Sequence, residues 1–206
     1  DLITKINSFN NGSTAIKVCA DLRQPDAPAQ IIQTTTKAFG GSVDILVNNA
    51  GVELRKPMSD VTLEDYNSVM DLNVRSAYFM SQALLPNLRR PGRIINISSV
   101  AGRCGFATFT IHCASKAALE GMTRALAAEL GPQGHTVNAV QPGPTESEMF
   151  DRLPPELVEK QKAATPVENR PGKPEDIARV VAWLAEEQSQ RISGQSISAS
   201  GGLVMN

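Results

Sequence analysis

Three polar side chains near the middle of the chain have types and spacings that suit chemistry. Ser99 follows the apolar run at residues 93–97, and His112 and Lys116 stand four residues apart where a helical pattern begins. An imidazole can act as a general acid, because its ordinary pKa of about 6.5 lies close to neutral pH. A charged Lys116 beside it would favour the neutral ring and lower that pKa. The three side chains therefore predict a ligand site with one group able to transfer a proton.

A buried strand and the helix after it must position these side chains. Ile94, Ile95 and Ile97 indicate a strand that is buried on both faces, as in a parallel sheet. The helix is indicated by one apolar stripe, formed by Leu119, Met122, Leu126 and Leu130. A hydroxyl at the carboxyl end of the strand and a Lys in the first turn of the helix then meet at one sheet edge. Open α/β sheets bind their ligands at that edge.

The rest of the chain alternates between strand and helix patterns. Further strands are predicted at residues 15–20, 43–47, 136–140 and 196–199. Helices are predicted at residues 1–9, 25–39, 62–89, 112–130 and from 174 onward, and residues 142–174 as a mobile loop with one short helix at 156–163. Thr62 and Asp65 form a capping-box pattern where the third helix begins. This order predicts a single α/β domain over residues 1–206, with a doubly wound, mostly parallel sheet in three αβα layers.

Composition and charge also indicate one globular domain. Of the 206 residues, 41% are hydrophobic, which suits a sizeable core. The 20 basic and 21 acidic residues are well mixed and give a net charge of −1, which predicts neither a nucleic-acid partner nor a membrane surface. The three cysteines are odd in number and lack metal-ligand spacing. They predict no bound metal and favour a reduced, cytoplasmic protein over a disulfide scaffold.

Five motifs in a fixed order carry a resemblance that covers essentially the whole chain. They are Asn48-Asn49-Ala50-Gly51 after a strand, Asn73, Ser99, the segment that ends in Lys116, and Pro142-Gly143 after a later strand. With these motifs the sequence resembles the short-chain dehydrogenase/reductase family, which has a Rossmann-type fold and uses a nicotinamide cofactor. The resemblance implies an NAD(P)-dependent oxidoreductase that interconverts a small-molecule carbonyl compound and a secondary alcohol.

The resemblance assigns catalytic roles to Asn73, Ser99, His112 and Lys116. Ser99 would hydrogen-bond the substrate carbonyl, Lys116 would hold the nicotinamide ribose, and Asn73 would hold a water that relays protons to the Lys. The family has a Tyr as its proton donor four residues before the Lys, and this chain has His112 there. The imidazole is shorter than a phenol by roughly 2 Å, and catalysis responds to displacements of about 1 Å.

Three interpretations of His112 remain open. It acts as a weakened or water-assisted acid, it marks a family member that binds cofactor without reducing ketones, or it is a change introduced into a Tyr enzyme. Two functional alternatives follow. One is a catalytically inactive protein that binds a nucleotide or a partner. The other is non-redox chemistry in the same pocket, with His112 as a base.

The resemblance also implies a set of cofactor-binding residues. Asp21, Asn48, Ala50, Gly51, Lys116, Pro142, Gly143, Thr145 and Ser147 would bind NADP or NAD, with NADP slightly favoured. Asp21 would accept a hydrogen bond from the adenine, or it is an ordinary turn or helix N-cap residue. Residues 145–165 would close over the substrate. Met149, Phe150 and Leu153 make this loop apolar, which favours a hydrophobic or polyketide-like carbonyl compound.

The Gly-rich phosphate-binding turn of the family does not occur in the chain. In the family that turn lies in a first βαβ part that precedes anything resembling residues 1–9, and its first strand lies in the middle of the sheet. A sheet without this strand would leave backbone groups unpaired, at a cost of several kcal/mol for each buried group by rough estimate. We therefore expect about 50 residues before Asp1, on the scale of a βαβ unit. A truncated protein is the alternative.

The resemblance finally predicts a homo-oligomer. Family members assemble as dimers or tetramers through the helices that here begin near Thr62 and His112, and through the last helix and strand. The small residues Ala117, Ala118 and Gly121 would let helices pack closely. Residues 194–205 resemble the C-terminal interface of the family. We expect a homotetramer.

Overall fold

The computed structural model describes residues 2–9 and 11–205, and its core is a parallel sheet. The four strands of the sheet lie in the order β1-β2-β3-β4: β1 is Val43–Asn48, β2 Leu88–Ile97, β3 Thr136–Pro142 and β4 Ser196–Ala199. In register, Ile94 of β2 stands beside Leu46 of β1 and Val137 of β3. All three strand pairs are parallel, so every carboxyl end lies at the same edge of the sheet.

Eight α-helices lie within the described part of the chain. They are α1 Leu2–Asn7, α2 Ala27–Ala38, α3 Leu63–Met70, α4 Ser76–Leu84, α5 Thr110–Leu130, α6 Glu148–Asp151, α7 Pro155–Ala164 and α8 Pro174–Ala185. A π-helical turn at Asp71–Arg75 joins α3 to α4. In residues 2–9 and 11–205, no helix has both the length and the apolar character needed to cross a bilayer.

The two faces of the sheet pack on different helices. Successive residues of a strand point to opposite faces, so Ile94 packs with Leu84 of α4 and Leu130 of α5, whereas Ile95 packs with Leu184 of α8. These five side chains are buried. The arrangement confirms the predicted doubly wound, parallel α/β fold in three layers.

The start of α3 confirms the predicted capping box. Thr62 Oγ1 accepts a hydrogen bond from the Asp65 N–H at 3.1 Å, and the Asp65 carboxylate accepts one from the Thr62 N–H at 3.0 Å. Lys56 Nζ donates to the same carboxylate at 2.7 Å. The bonds from Lys56, and then those from Thr62, lower the pKa of Asp65 to about 2. The loop after β1 is thereby fixed to the first turn of α3.

Four predicted elements need correction. The helix predicted at residues 62–89 is divided by the π-helical turn and ends at Leu84, and Leu88 already belongs to β2. Residues 15–20 form no strand, because a strand needs a hydrogen-bonded neighbour and no described segment pairs with them. The segment at 142–174 holds two helices rather than one, since Ser147 caps α6 by accepting a hydrogen bond from the Phe150 N–H. α5 begins at Thr110, before His112, so Lys116 lies in its second turn rather than its first. Asn10, at the predicted end of the first helix, lies outside the described residues.

Candidate active site

A cavity of about 660 Å³ lies at the carboxyl ends of β2 and β3. Ser99, His112 and Lys116 all line it, so the structure brings these three predicted side chains together. The first follows β2, and the other two lie on one face of α5 because residues i and i+4 share a face. This is the sheet edge at which open α/β folds bind ligands.

Ser99 combines a structural and a chemical capacity. It follows β2 and precedes the 3₁₀ turn Val100–Gly102. Its Oγ accepts a hydrogen bond from the Ala101 N–H at 3.1 Å, which is the contact of a capping Ser. Among the described residues the hydroxyl hydrogen has no acceptor. The hydroxyl can therefore donate to an oxygen of a ligand in the cavity.

His112 is buried against the loop that follows β1. Its Nδ1 lies 3.3 Å from the Val52 carbonyl oxygen, and its ring meets the Phe109 ring edge to face, with centroids 5.9 Å apart. Burial, and then the charge of Lys116, lower the pKa of His112 to about 4, although the hydrogen bond to Val52 opposes the shift. The imidazole is therefore neutral at neutral pH.

Lys116 is buried but keeps its ammonium next to the cavity. Nζ donates to the Ile97 carbonyl at 2.9 Å, and burial lowers the pKa of Lys116 to about 8. The group is mostly charged at neutral pH. A side chain at Gly51 would place its Cβ 3.4 Å from this Nζ and 3.2 Å from Asn73 Oδ1. The glycine thus keeps the space beside the ammonium open for a ligand.

Asn73 lies buried in the π-helical turn and holds Val52. Its Oδ1 accepts a hydrogen bond from the Val52 N–H at 2.8 Å, and its Nδ2 donates to the Val52 carbonyl at 2.9 Å and to Ser115 Oγ at 3.0 Å. Such π-turns within helices often lie at functional sites. Val52 was not predicted, because a backbone carbonyl leaves no pattern in the sequence. Asn73 and His112 bind the same carbonyl oxygen, so they are coupled through it.

The predicted cofactor-binding residues divide between two cavities. Gly51, Lys116, Pro142, Gly143, Thr145 and Ser147 line the main cavity. Asn48 and Ala50 line a second cavity of about 280 Å³, beside Leu46 and Met80. Asp21 lines neither of these cavities. Its carboxylate accepts hydrogen bonds from the backbone and the guanidinium of Arg23, which is the geometry of a turn residue.

The main cavity suits the nicotinamide half of a dinucleotide. Gly143 lies against Ser200, where a Cβ would be only 3.0 Å from the Ser200 Cα, so bare backbone forms this wall. Thr145 Oγ1 donates to the Gly143 carbonyl at 3.0 Å and holds the turn. Across the cavity, the Lys116 ammonium has hydrogen-bond donors for ribose hydroxyls. These groups fit a nicotinamide and its ribose.

Apolar side chains form most of the remaining wall. They are Val52, Phe106, Phe109, Met149, Phe150, Leu153, Leu157 and Leu203. Charge is confined to a few groups, among them Glu53, Arg55 and Lys160. The Arg55 guanidinium lies over the Phe109 ring at 6.0 Å, and burial raises the pKa of Glu53. The cavity therefore matches an apolar or aromatic ligand with few polar groups.

Glu120 is a buried carboxylate at the site that the sequence-based prediction omits. Its Oε1 accepts hydrogen bonds from Ser98 Oγ at 3.0 Å and from Gln141 Nε2 at 2.6 Å, and its Oε2 accepts one from Arg103 Nε. The carboxylate thereby joins the ends of β2 and β3 to α5. Its position four residues after the predicted Lys, on the same helical face, is the pattern that could have indicated it.

Comparison with known proteins identifies the family. Residues 4–204 match the family model described as enoyl-(acyl carrier protein) reductase. The chain is 46% identical over 212 residues to dehydrogenase OXI1 of Cochliobolus heterostrophus, covering 99% of this chain and 90% of that protein. It is 41% identical over 200 residues to the short-chain dehydrogenase/reductase FrzI of Cladobotryum sp., covering 94% and 77%. A hydroxynaphthalene reductase-like protein of Metarhizium robertsii is 37% identical over 206 residues, with coverage of 94% and 77%.

Solved structures share the fold. A dehydrogenase/reductase from Sinorhizobium meliloti superposes with a TM-score of 0.92 at 36% identity, covering 99% of this chain and 79% of that one. A blue fluorescent protein from a metagenomic library, solved in complex with NADPH, gives 0.91 at 36% identity, covering 99% and 81%. Fold and similarity together define a nicotinamide-dependent oxidoreductase of Rossmann type. The chain belongs to the short-chain dehydrogenase/reductase family.

Proposed function

We propose that the chain interconverts a carbonyl compound and a secondary alcohol, with NADP as the hydride carrier. The observation that carries the proposal is the presence of Ser99, His112 and Lys116 in one cavity at the carboxyl edge of the sheet. When bound, the nicotinamide supplies a hydride to the substrate carbon or accepts one from it. The remaining functions fall to the side chains and backbone of the protein.

The side chains of the cavity divide the work by their chemistry. Ser99 has a free hydroxyl hydrogen and holds the substrate oxygen. Lys116, charged and beside Gly51, holds the ribose hydroxyls of the cofactor. His112 exchanges a proton with the substrate oxygen, and Asn73 positions it through Val52. The backbone of Pro142 and Gly143 packs on the nicotinamide ring.

The preference for NADP rests on similarity. The main cavity suits the nicotinamide half of the cofactor, which is the same in NADP and NAD. The structural neighbour solved with NADPH aligns with 99% of this chain. That complex supports NADP.

The substrate class follows from the walls of the cavity. Aromatic and aliphatic side chains surround the three polar groups, so a flat apolar carbonyl compound buries the most surface there. The relative from Metarhizium robertsii is named for a hydroxynaphthalene reductase. A bicyclic aromatic or polyketide-like ketone, or the matching alcohol, fits both observations.

The proposal is tested by cofactor binding and turnover of the full-length protein. Titration with NADPH and with NADH is followed by nicotinamide fluorescence, and 1-tetralone and 1-tetralol serve as bicyclic probes. Lys116→Met should weaken NADPH binding about tenfold or more, since it removes charge-assisted hydrogen bonds. Lys162→Met is the control, because Lys162 forms an ion pair with Glu159 on α7. Absence of NADPH and NADH binding would contradict the proposal.

A further inference from the structure

A backbone carbonyl holds the His112 ring in one tautomer. Nδ1 lies 3.3 Å from the Val52 oxygen, and that ring nitrogen is the one in hydrogen-bond contact. A carbonyl oxygen can only accept a hydrogen bond, so the ring hydrogen must be on Nδ1. In the neutral ring the other nitrogen, Nε2, then carries a lone pair and no hydrogen. Asn73 fixes the Val52 peptide from the opposite side by bonding both its N–H and its carbonyl.

Nε2 is the ring nitrogen that is open to the cavity. The ring lines the cavity, and Nε2 has no hydrogen-bond partner among the described residues. A few side-chain atoms in the described part of the chain are fully buried and have no hydrogen-bond partner, and Nε2 is not one of them. Nε2 is therefore accessible rather than sealed off. The edge-to-face contact with Phe109 limits rotation of the ring. His112 therefore presents an acceptor, and not a donor, to a bound ligand.

The surrounding charges oppose a second proton on the ring. Lys116 lies one helical turn away on α5, and burial together with this charge keeps the pKa of His112 near 4. Arg55 on the loop after β1 and Lys160 on α7 add positive charge to the same cavity. Glu53 is the acid that faces them, and burial raises its pKa and so weakens its charge. The neutral imidazole is the dominant form at pH 7.

We propose that His112 acts as a proton acceptor at Nε2, so that carbonyl reduction slows as the pH rises through neutrality while alcohol oxidation does not. This inference rests on the function proposed above. The hydroxyl proton of a secondary alcohol passes to Nε2. The hydrogen on the alcohol carbon is transferred, with the two electrons of the C–H bond, to the oxidised nicotinamide, and the C–O single bond becomes a carbonyl. The imidazolium afterwards gives its proton to solvent.

The reverse reaction needs a proton on Nε2 before it begins. With a pKa of about 4, roughly one molecule in a thousand carries that proton at pH 7. Carbonyl reduction by the His form should therefore fall about tenfold in kcat/KM for each unit of pH between 5.5 and 7.5. Alcohol oxidation should stay constant over the same range, because the acceptor form is already fully populated.

Nitrogen NMR tests the tautomer without cofactor or substrate. The chain has two histidines, and His135 is an internal control because its Nδ1 accepts a hydrogen bond from the Gly92 N–H at 2.9 Å, which places its hydrogen on Nε2. Long-range ¹H–¹⁵N spectra should show opposite tautomers, assigned with His135→Gln. His112 should carry hydrogen on Nδ1 at pH 7 and titrate far below pH 6.5. A hydrogen on its Nε2, or a charged ring at pH 7, would overturn the inference.

Turnover separates failure of this inference from failure of the proposed function. NADPH binding with a reduction rate for 1-tetralone that does not fall between pH 5.5 and 7.5 overturns the acceptor role and leaves the oxidoreductase function standing. His112→Tyr should raise the reduction rate at pH 7.5 about 100-fold, because a phenol beside Lys116 can donate there. If neither form binds NADPH, or neither converts either probe, the proposed function fails and the acceptor role fails with it.

Discussion

At the scale of single residues, the site depends on the Val52 carbonyl oxygen. It accepts hydrogen bonds from Asn73 Nδ2 at 2.9 Å and lies 3.3 Å from His112 Nδ1. A side chain in the π-helical turn and a ring on α5 thus meet at one atom. Substitution of Asn73 should therefore alter the position and tautomer of the His112 ring, although no direct hydrogen bond joins the two side chains in the described structure.

Asn73→Ala should destabilise the protein and release the ring. The change leaves the partly buried Val52 N–H without its acceptor and removes one donor from the Val52 carbonyl. We expect a loss of about 2 kcal/mol in the free energy of unfolding by urea. The ¹⁵N signals of His112 should shift toward a mixture of tautomers. Asn67→Ala is the control, because Asn67 is an exposed residue of α3. Unchanged His112 signals in Asn73→Ala would contradict the coupling.

Stability should fall as the pH drops below about 6.5, the ordinary pKa of an imidazole in the unfolded chain. The pKa of His112 is about 4 in the folded protein, so between these values the unfolded state binds more protons and gains stability relative to the folded one. The pKa of His135 is lowered too, by burial and then by the charge of Arg90. The contribution of each histidine to the free energy of unfolding is fully present above pH 6.5 and is lost progressively as the pH falls below that value.

Urea unfolding at pH 7.5 and 5.5 measures this dependence. His112 alone should lower the free energy of unfolding by about 1 kcal/mol between the two values. This range lies above the pH at which Asp65 and Asp176 titrate, because hydrogen bonds keep their pKa values below the ordinary range. His112→Tyr should lose part of the dependence. If the free energy of unfolding changed equally with pH in the wild type and this variant, His112 would not be held neutral in the folded protein.

How far a residue role could be predicted depended on where its chemistry resides. Ser99 and Lys116 are indicated by side-chain type and by the strand and helix patterns, whereas His112 is indicated by the family resemblance, and the structure places all three in one cavity. Val52 acts through its backbone, and nothing in an apolar side chain indicates that. Asp21 fitted two interpretations equally, and its contacts with Arg23 match the turn. Only the three-dimensional structure could distinguish the adenine-binding interpretation of Asp21 from the turn interpretation.

At the scale of elements, α5 and the two central strands are tied together by Glu120. Ser98 at the end of β2 and Gln141 in β3 both donate to this carboxylate, and so does Arg103 after the 3₁₀ turn. Gly102 leaves room for the carboxylate, because a Cβ there would overlap with it. The hydrogen-bonded Glu120 carboxylate thus fixes α5 relative to β2 and β3, and these elements position the polar side chains of the cavity.

Glu120→Gln should loosen this junction. The amide turns one acceptor atom into a donor, so the group can no longer accept hydrogen bonds at both of its ends. We expect a loss of about 2 kcal/mol by urea unfolding. Arg103→Ala should cost less than 1 kcal/mol, because the Arg103 side chain is 41% exposed and water replaces the contact. Glu129→Gln, on the exposed face of α5, is the control, and equal stability of both Gln variants would contradict the role of Glu120.

Secondary structure that is determined by the residues of its own segment could be predicted well. Secondary structure that depends on hydrogen bonds to another segment could not. The capping box at Thr62 and the apolar stripe from Leu119 to Leu130 are local patterns, and a helix forms at each of them. Residues 15–20 alternate like a strand, but a strand exists only where a neighbour supplies hydrogen bonds. α6 has only the residues Glu148–Asp151, too few to show a helical period. Its cap at Ser147 was the available indication.

At the scale of the whole molecule, α3 and α4 expose four large apolar side chains. Leu63 and Tyr66 of α3 and Tyr78 and Phe79 of α4 are all exposed, and the last two rings meet edge to face at 5.3 Å. We call these four side chains the α3–α4 patch. Clusters of exposed aromatic and aliphatic side chains mark interaction surfaces in soluble proteins. On α5, Gly121 leaves open space, since a Cβ there would have its nearest neighbour 4.0 Å away.

We expect these surfaces to join copies of the chain into a homotetramer, because covering the patch removes apolar area from water. Light scattering on the full-length protein at micromolar concentration should give four times the mass of the monomer. The double variant Tyr78→Ser with Phe79→Ser should lower that mass to a dimer or a monomer. Phe39→Ser should leave it unchanged, because Phe39 is similarly exposed but lies after α2, outside the patch. A monomeric wild-type protein would show instead that the α3–α4 patch serves another partner or none.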